Sequence, residues 1–179
     1  MSEVLPSKEV FSVWEYEGLM EKLIWKIKYG GMYDIVNTLV EKAFEKMELN
    51  LPEDTSITYV PMYKKKEKQR GFNQAELIAK KVGQLLGLAE QRPLKVVPLL
   101  KKVKDNRSQV GLNPQERKEN VKGAFKYLPR VSHPREVKSV LLVDDVYTTG
   151  ATMNECMKVL KKAGVKNIYG FTLARKLRI

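Results

Sequence analysis

The residues best suited to chemistry in this 179-residue chain lie between Val140 and Thr152, in the run VLLVDDVYTTGAT. An apolar stretch delivers two adjacent acids, Asp144 and Asp145, and is followed closely by Thr148, Thr149, Gly150, Ala151 and Thr152. Carboxylates at such a point can accept hydrogen bonds from the vicinal hydroxyls of a ribose, at the strand end where open α/β sheets bind their ligands. The small hydroxyl residues, at the positive end of a helix, bring N–H and O–H donors around one point and make a pocket for a phosphate monoester. Gly150 lets the backbone approach that ligand closely. A strand-end acid pair can also cap a helix or bind a cation. A nucleotide P-loop does not fit, because it needs a lysine just before the Ser/Thr of the helix start and Ala151 stands there.

No second constellation competes with this one. Cys156 falls in the stripe Met153, Cys156, Met157, Leu160 and reads as core packing. One cysteine permits neither an internal disulfide nor a cysteine-rich zinc site. His133, the one histidine, lies beside Pro134 in a predicted loop and reads as a surface residue.

The elements that must position these residues follow from periodicity. Leu19, Leu23 and Ile27, with Ile24 alongside, predict a first helix that stops at Tyr29 to Gly31. Ile35, Leu39, Ala43 and Phe44 predict a second. Ile57 to Val60 predict a strand ending at Pro61, followed by a basic loop carrying Lys64, Lys65, Lys66, Lys68 and Arg70. Asn73 and Glu76 stand at the N-cap and N3 positions of a helix that should reach about Leu86, with Gly87 as its stop. Leu94 to Leu100 reads as another strand. Lys101 to Asn120 reads as a long polar loop with one helical turn at Pro114 to Lys118, and a short strand follows within Val121 to Leu128. Val140 to Val143 form a strand covered on both faces. Thr152 with Glu155 predicts a capping box, and Ile168 to Leu173 a last strand. Strands alternating with helices give an α/β architecture around a mostly parallel central sheet. Neither a repeat nor a linker divides the chain, which reads as one compact unit with a helical element over 1–50 and a core over 51–179.

Composition sets the class of partner. Thirty-three Lys and Arg against 21 Asp and Glu leave a formal charge of +12, which draws anions such as phosphates or nucleic acid. The aromatics lack the regular interleaving with basic residues that would announce a stacking platform for single strands. Nothing approaches the roughly 20 apolar residues of a membrane span, and Met1 to Val10 does not read as a secretory signal, so a soluble cytoplasmic protein without membrane insertion is expected.

VLLVDDVYTTGAT resembles the phosphoribosyl-diphosphate motif of type I phosphoribosyltransferases. KYGG at Lys28 to Gly31, VP at Val60 and Pro61, RGFNQAELIA at Arg70 to Ala79 and QERKENVKGAF at Gln115 to Phe125 extend the resemblance to the ComF family of amidophosphoribosyltransferase-like competence proteins, from about Tyr16 to Arg175. The resemblance implies a type I phosphoribosyltransferase-like fold in which Thr148 to Thr152 hold the 5′-phosphate and Asp144 and Asp145 the ribose. Lys64, Lys65, Lys66 and Arg70 would serve the diphosphate loop. Lys104 to Asn120 would be the flexible loop, with Arg107 and Arg117 as anion contacts and Arg107 as the candidate catalytic residue. The first two helices would form the hood that selects the acceptor. Family members commonly begin with a cysteine-rich zinc ribbon, and this chain has no cysteine before Cys156, so no zinc is expected.

The activity so implied is displacement of diphosphate from ribose C1 by a nitrogen nucleophile, with Mg2+ carried on the diphosphate of the ligand. 5-Phosphoribosyl-1-diphosphate or a nucleoside monophosphate would be the ligand, and a homodimer is compatible with the fold. The alternative is a non-catalytic competence factor that binds nucleotide or single-stranded DNA and works beside a competence helicase.

Overall fold

The computed structural model describes residues 10–89, 91, 94–106, 111–129 and 137–177. Four strands build the central sheet: β1 (Val10–Glu15), β2 (Thr55–Tyr59), β5 (Ser139–Tyr147) and β6 (Asn167–Arg175), in the order β1-β6-β5-β2 and all parallel. The helices are α1 (Gly18–Tyr29), α2 (Asp34–Phe44), α3 (Lys64–Arg70), α4 (Gln74–Ala89), α5 (Pro114–Val121) and α6 (Ala151–Lys162). A small antiparallel pair, β3 (Leu100–Lys102) and β4 (Phe125–Tyr127), stands apart from the main sheet. The expected α/β architecture with a parallel sheet is therefore what the chain adopts.

Alternation along β5 sorts the core into two layers. Leu141 and Val143 face α1, α2 and α4, packing in one cluster with Ile24, Ile27, Val40, Ile78 and Val82. Val140 and Leu142 face the other way, toward Met153, Cys156 and Leu160 of α6 and toward Leu100 and Phe125 of the small sheet. All four of these β5 side chains are fully buried. Each contributes on the order of 1.5–3 kcal/mol of burial free energy, an upper figure because the unfolded chain is not fully extended. Polar side chains enclosed between strands are satisfied in pairs, Ser12 Oγ with Thr172 Oγ1 at 2.7 Å and Thr55 Oγ1 with Ser139 Oγ at 2.8 Å.

Several boundaries differ from the sequence expectation. Val10–Glu15, for which no strand was predicted, pairs with β6 as the edge of the main sheet, so the N-terminal segment is not helical throughout. On α1 the buried stripe is Met20, Ile24 and Ile27, while Leu19 is 72% exposed. The apolar run allows either register, and packing against the sheet chooses the second. Lys64 to Arg70 is a helix and not a loop. Every residue of KKKEKQR is a good helix former, and Gly71, at φ 87°, supplies the left-handed turn that ends α3 before α4 begins. The next helix runs past Gly87 to Ala89.

The strand expected at Leu94 to Leu100 is instead a single parallel bridge of Val96 to Ile57, followed by β3 from Leu100. The polar segment after it is shorter of loop than expected. Asn113 and Glu116 form a reciprocal capping box that starts α5, which continues for eight residues. Thr152 and Glu155 form no such box. Gly150 is the N-cap of α6, and Glu155 Oε1 accepts from the Gly123 N–H at 2.8 Å.

Candidate functional site

Because β5 continues to Tyr147, the two acids lie within the strand and alternate like its apolar residues. Asp145 follows Leu141 and Val143 to the side of α1, where its Oδ2 meets Lys28 Nζ at 2.7 Å. Asp144 follows Val140 and Leu142 to the side of α6, and its Oδ1 accepts from the Asp145 N–H at 2.9 Å. Both acids open on one cleft of about 930 Å³ at the carboxyl end of the parallel strands.

The loop after β5 forms the cleft floor. Thr148, Gly150, Ala151 and Thr152 line it. Thr149 instead turns its hydroxyl to the backbone, accepting from the Ala151 N–H at 3.3 Å. Gly150 sits at φ 76°, and a β-carbon there would overlap the Tyr147 hydroxyl, so both backbone sign and space demand glycine.

The helical form of Lys64–Arg70 decides which of its cations reach the site. Lys66 and Arg70, four residues apart on one face of α3, line the cleft, while Lys64 and Lys65 are exposed to solvent. Arg70 is held by Gln74 Oε1 at 2.6 Å and lies over the Tyr29 ring at 5.1 Å. Asn73 fixes the turn behind them, donating to the Val60 carbonyl at 3.1 Å and accepting from the Ala75 N–H at 3.0 Å. Arg117 also lines the cleft, steadied by donation from its Nε to the Leu112 carbonyl at 2.9 Å. Arg107 lies outside the described residues, as does His133.

Sequence reasoning assigned no site role to Lys28, Lys102, Tyr16 or Tyr147, all of which line the cleft. Lys28 was visible only as the first residue of KYGG. The lysines at 28 and 102 come from elements distant in sequence, and no spacing rule joins them to the acids.

Charge in the cleft is unevenly held. Burial and then the neighbouring Asp145 push the Asp144 carboxyl well above the usual carboxylate range, against the pull of Lys28 and Lys102. Burial alone would lower the Lys28 ammonium, but the Asp145 carboxylate outweighs it and raises it. Lys102 is lowered, by burial first and by Lys66 second. The Cys156 thiol is pushed up by burial and by Asp144, which leaves it inert packing.

A cleft at the carboxyl end of a parallel sheet, lined by two acids of the central strand, a glycine-led helix start and several cations, is the arrangement of a phosphoribosyltransferase fold. Residues 68–178, more than half of the chain, match the family described as phosphoribosyl transferase domain. The chain is 35% identical over 160 residues to Competence protein F of Haemophilus influenzae, covering 86% of this chain and 66% of that protein. It is 30% identical over 164 residues to Competence protein ComFC of Streptococcus pneumoniae (92% and 67%), and 27% identical over 177 residues to the DNA utilization protein YhgH of Salmonella typhi (96% and 74%). The chain belongs to the ComF family. It spans about two thirds of the length of the first two relatives and about three quarters of the third. Among the described residues no helix is long and apolar enough to cross a membrane.

Proposed function

We propose that this chain binds 5-phosphoribosyl-1-diphosphate in the cleft and transfers its phosphoribosyl group to a nitrogen acceptor. The observation that carries the reading is that the acids Asp144 and Asp145 within β5, the helix start led by Gly150, and the α3 cations Lys66 and Arg70 all open on one cleft. Asp144 and Asp145 accept hydrogen bonds from the ribose hydroxyls. The loop backbone from Thr148 to Thr152, with the hydroxyls of Thr148 and Thr152 that line the cleft, holds the 5′-phosphate, while Thr149 braces the turn. Lys66, Arg70 and Arg117 balance the charge of the departing diphosphate while positive charge develops on the sugar. Positioning and electrostatics carry the rate, and no covalent intermediate on the protein is required.

The donor set fits magnesium carried on the diphosphate. Asp144, favoured in its protonated form by burial and the Asp145 charge, lines the cleft and would give up its proton beside a cation carried on the ligand's own oxygens. When bound, magnesium supplies charge neutralisation of the leaving group.

Calorimetric titration with the donor and Mg2+ tests the reading. Changing Asp144 and Asp145 together to Asn should weaken binding at least about tenfold in a protein that still folds, since each lost hydrogen bond to a charged acceptor is worth about 1.5–3 kcal/mol. Unchanged affinity in a folded double variant removes the ribose assignment. Release of diphosphate on adding candidate amines or bases then identifies the acceptor.

A specific observation favours a second reading, in which a single nucleic-acid strand binds. Trp25 and Tyr29, 59% and 61% exposed, stand one turn apart on α1 with ring centroids 5.5 Å apart. Arg70 covers Tyr29, and Tyr33 meets Phe72 edge-on at 4.9 Å. Exposed Lys22 and Lys26 flank this row, giving rings for bases and cations for the backbone. Relatives named for competence and DNA utilization agree with it. The row and the cleft adjoin at Tyr29 and Tyr33, so the two readings are compatible.

A further inference from the structure

We infer that Lys28 is a positioning residue of the donor site, which acts by holding one carboxylate oxygen of Asp145 so that the other is presented to the sugar. The inference rests on the donor reading above. Its ground is a direct link between α1 and the acids of β5. Lys28 Nζ stands 2.7 Å from Asp145 Oδ2, with the side chain of Asp145 9% exposed and that of Lys28 23%.

The inner face of α1 is otherwise apolar, with Met20, Ile24 and Ile27 buried against the sheet. Lys28 comes one residue after that stripe and two before Gly30, and it reaches round the helix end into the cleft. Taking a lysine and an aspartate out of water together offers little net stability, and apolar residues of similar size often do as well. Both partners also line the cleft. Tyr16, at the junction of β1 and α1, lies on the same side, its phenol raised by burial while Lys28 opposes the shift.

The geometry has a mechanical consequence. Asp145 Oδ2 is drawn toward the Lys28 ammonium by a close ion pair that lacks hydrogen-bond alignment, which orients the carboxylate and leaves Oδ1 for a ribose hydroxyl. Asp144 has no equivalent tether. Its Oδ1 is occupied by the adjacent Asp145 N–H, and among the described residues no cation pairs with it within 4.0 Å. The two acids are thus unequal, Asp145 as the fixed contact and Asp144 as the adjustable one.

A double-mutant cycle decides the matter, with donor and Mg2+ titrated by calorimetry into the full chain and its Lys28→Met, Asp145→Asn and doubly substituted forms, each checked by melting. If Lys28 acts through Asp145, Lys28→Met weakens binding about tenfold, and the double variant binds no worse than Asp145→Asn alone. Lys28→Arg, which keeps the charge and can hold the same oxygen, should return affinity to within about threefold of the unaltered protein. Additive losses, or unchanged affinity in Lys28→Met, overturn the inference and leave the donor reading intact. Absence of binding by the unaltered protein overturns the donor reading and this inference with it. Should Lys28→Met fail to fold around an unpaired Asp145, the double variant removes both charges, and Lys28→Arg against Asp145→Asn still reads the coupling; an Arg variant that binds as weakly as Asp145→Asn then counts against the role.

Discussion

The Lys66 ammonium donates to the Asn106 carbonyl at 2.6 Å and lies 3.2 Å from Asp105, tying α3 to the segment that leaves β3. From its other side the same segment is held by Val103 N–H to the Ala124 carbonyl, by Lys104 Nζ to the Lys122 carbonyl, and by Asn106 Nδ2 to the Asn120 carbonyl. Lys66 is thus both a cleft cation and a tether. Changing Lys66 to Ala should speed amide exchange over residues 103–106 by about threefold to tenfold, since a half-exposed ion pair and one hydrogen bond together are worth about 1 kcal/mol. Exchange followed by mass spectrometry checks this. Unchanged rates would mean that the bonds to residues 120–124 hold the segment alone.

Asp144 gives stability a distinctive pH dependence. Burial and the Asp145 charge raise its carboxyl from 3.8 to about 8. A raised acid favours the folded state in its protonated form. The contribution is full below the unfolded value and is lost as pH climbs through the folded one. Asp144→Asn, which cannot ionise, should match the unaltered protein near pH 4 and melt progressively higher than it toward about pH 9. Because Asp144 opens on the cleft, water screens part of the effect and the difference should be a few degrees at most. Parallel melting curves across the range check it. A constant difference at every pH would show that Asp144 does not titrate abnormally.

Gly150→Ala carries two separable costs. The φ of 76° strains any β-carbon, and that carbon also overlaps the Tyr147 hydroxyl. Together they should destabilise the protein by about 1–3 kcal/mol and weaken phosphate binding at the α6 start. Adding Tyr147→Ala to Gly150→Ala should relieve the overlap and leave the backbone strain, so part of the loss returns. Melting temperature and inorganic phosphate titration read the two effects. Full recovery in the double variant would locate the whole cost in the side-chain overlap.

The exposed rings of α1 separate the two functional readings. Trp25→Ala and Tyr29→Ala remove surface rings that contribute little to the core, so melting should change little. Each should weaken a poly-dT strand by about 1–3 kcal/mol if bases stack there, and binding should fall steeply with salt. Donor affinity should hold for Trp25→Ala. A strand that binds the double variant as tightly as the unaltered protein excludes the ring row as its platform.

Local sequence determined the parts of this protein that depend on neighbours along the chain. The buried run Val140–Val143 and the acids that follow it are set within a few residues of one another, whereas the capping box falls at Asn113 and Glu116 and not at the Thr152 and Glu155 expected, since α6 starts at Ala151 behind Gly150. Lys64 to Arg70 was legible as basic but not as helical, since helix-forming residues next to Pro61 satisfy either description. That difference decides that Lys66 and Arg70 reach the cleft while Lys64 and Lys65 do not. The register of α1 was also open, because Leu19 and Met20 are both apolar and only docking against the sheet chooses between them. Two features belong wholly to the tertiary structure. The Lys28 to Asp145 pair joins residues 117 positions apart, and the ring row joins Trp25 and Tyr29 to Arg70 across a helix boundary. Trp25 and Tyr29 share helical spacing, but the joins to Arg70 and to Asp145 exist only where burial of separate apolar faces has already brought the elements together.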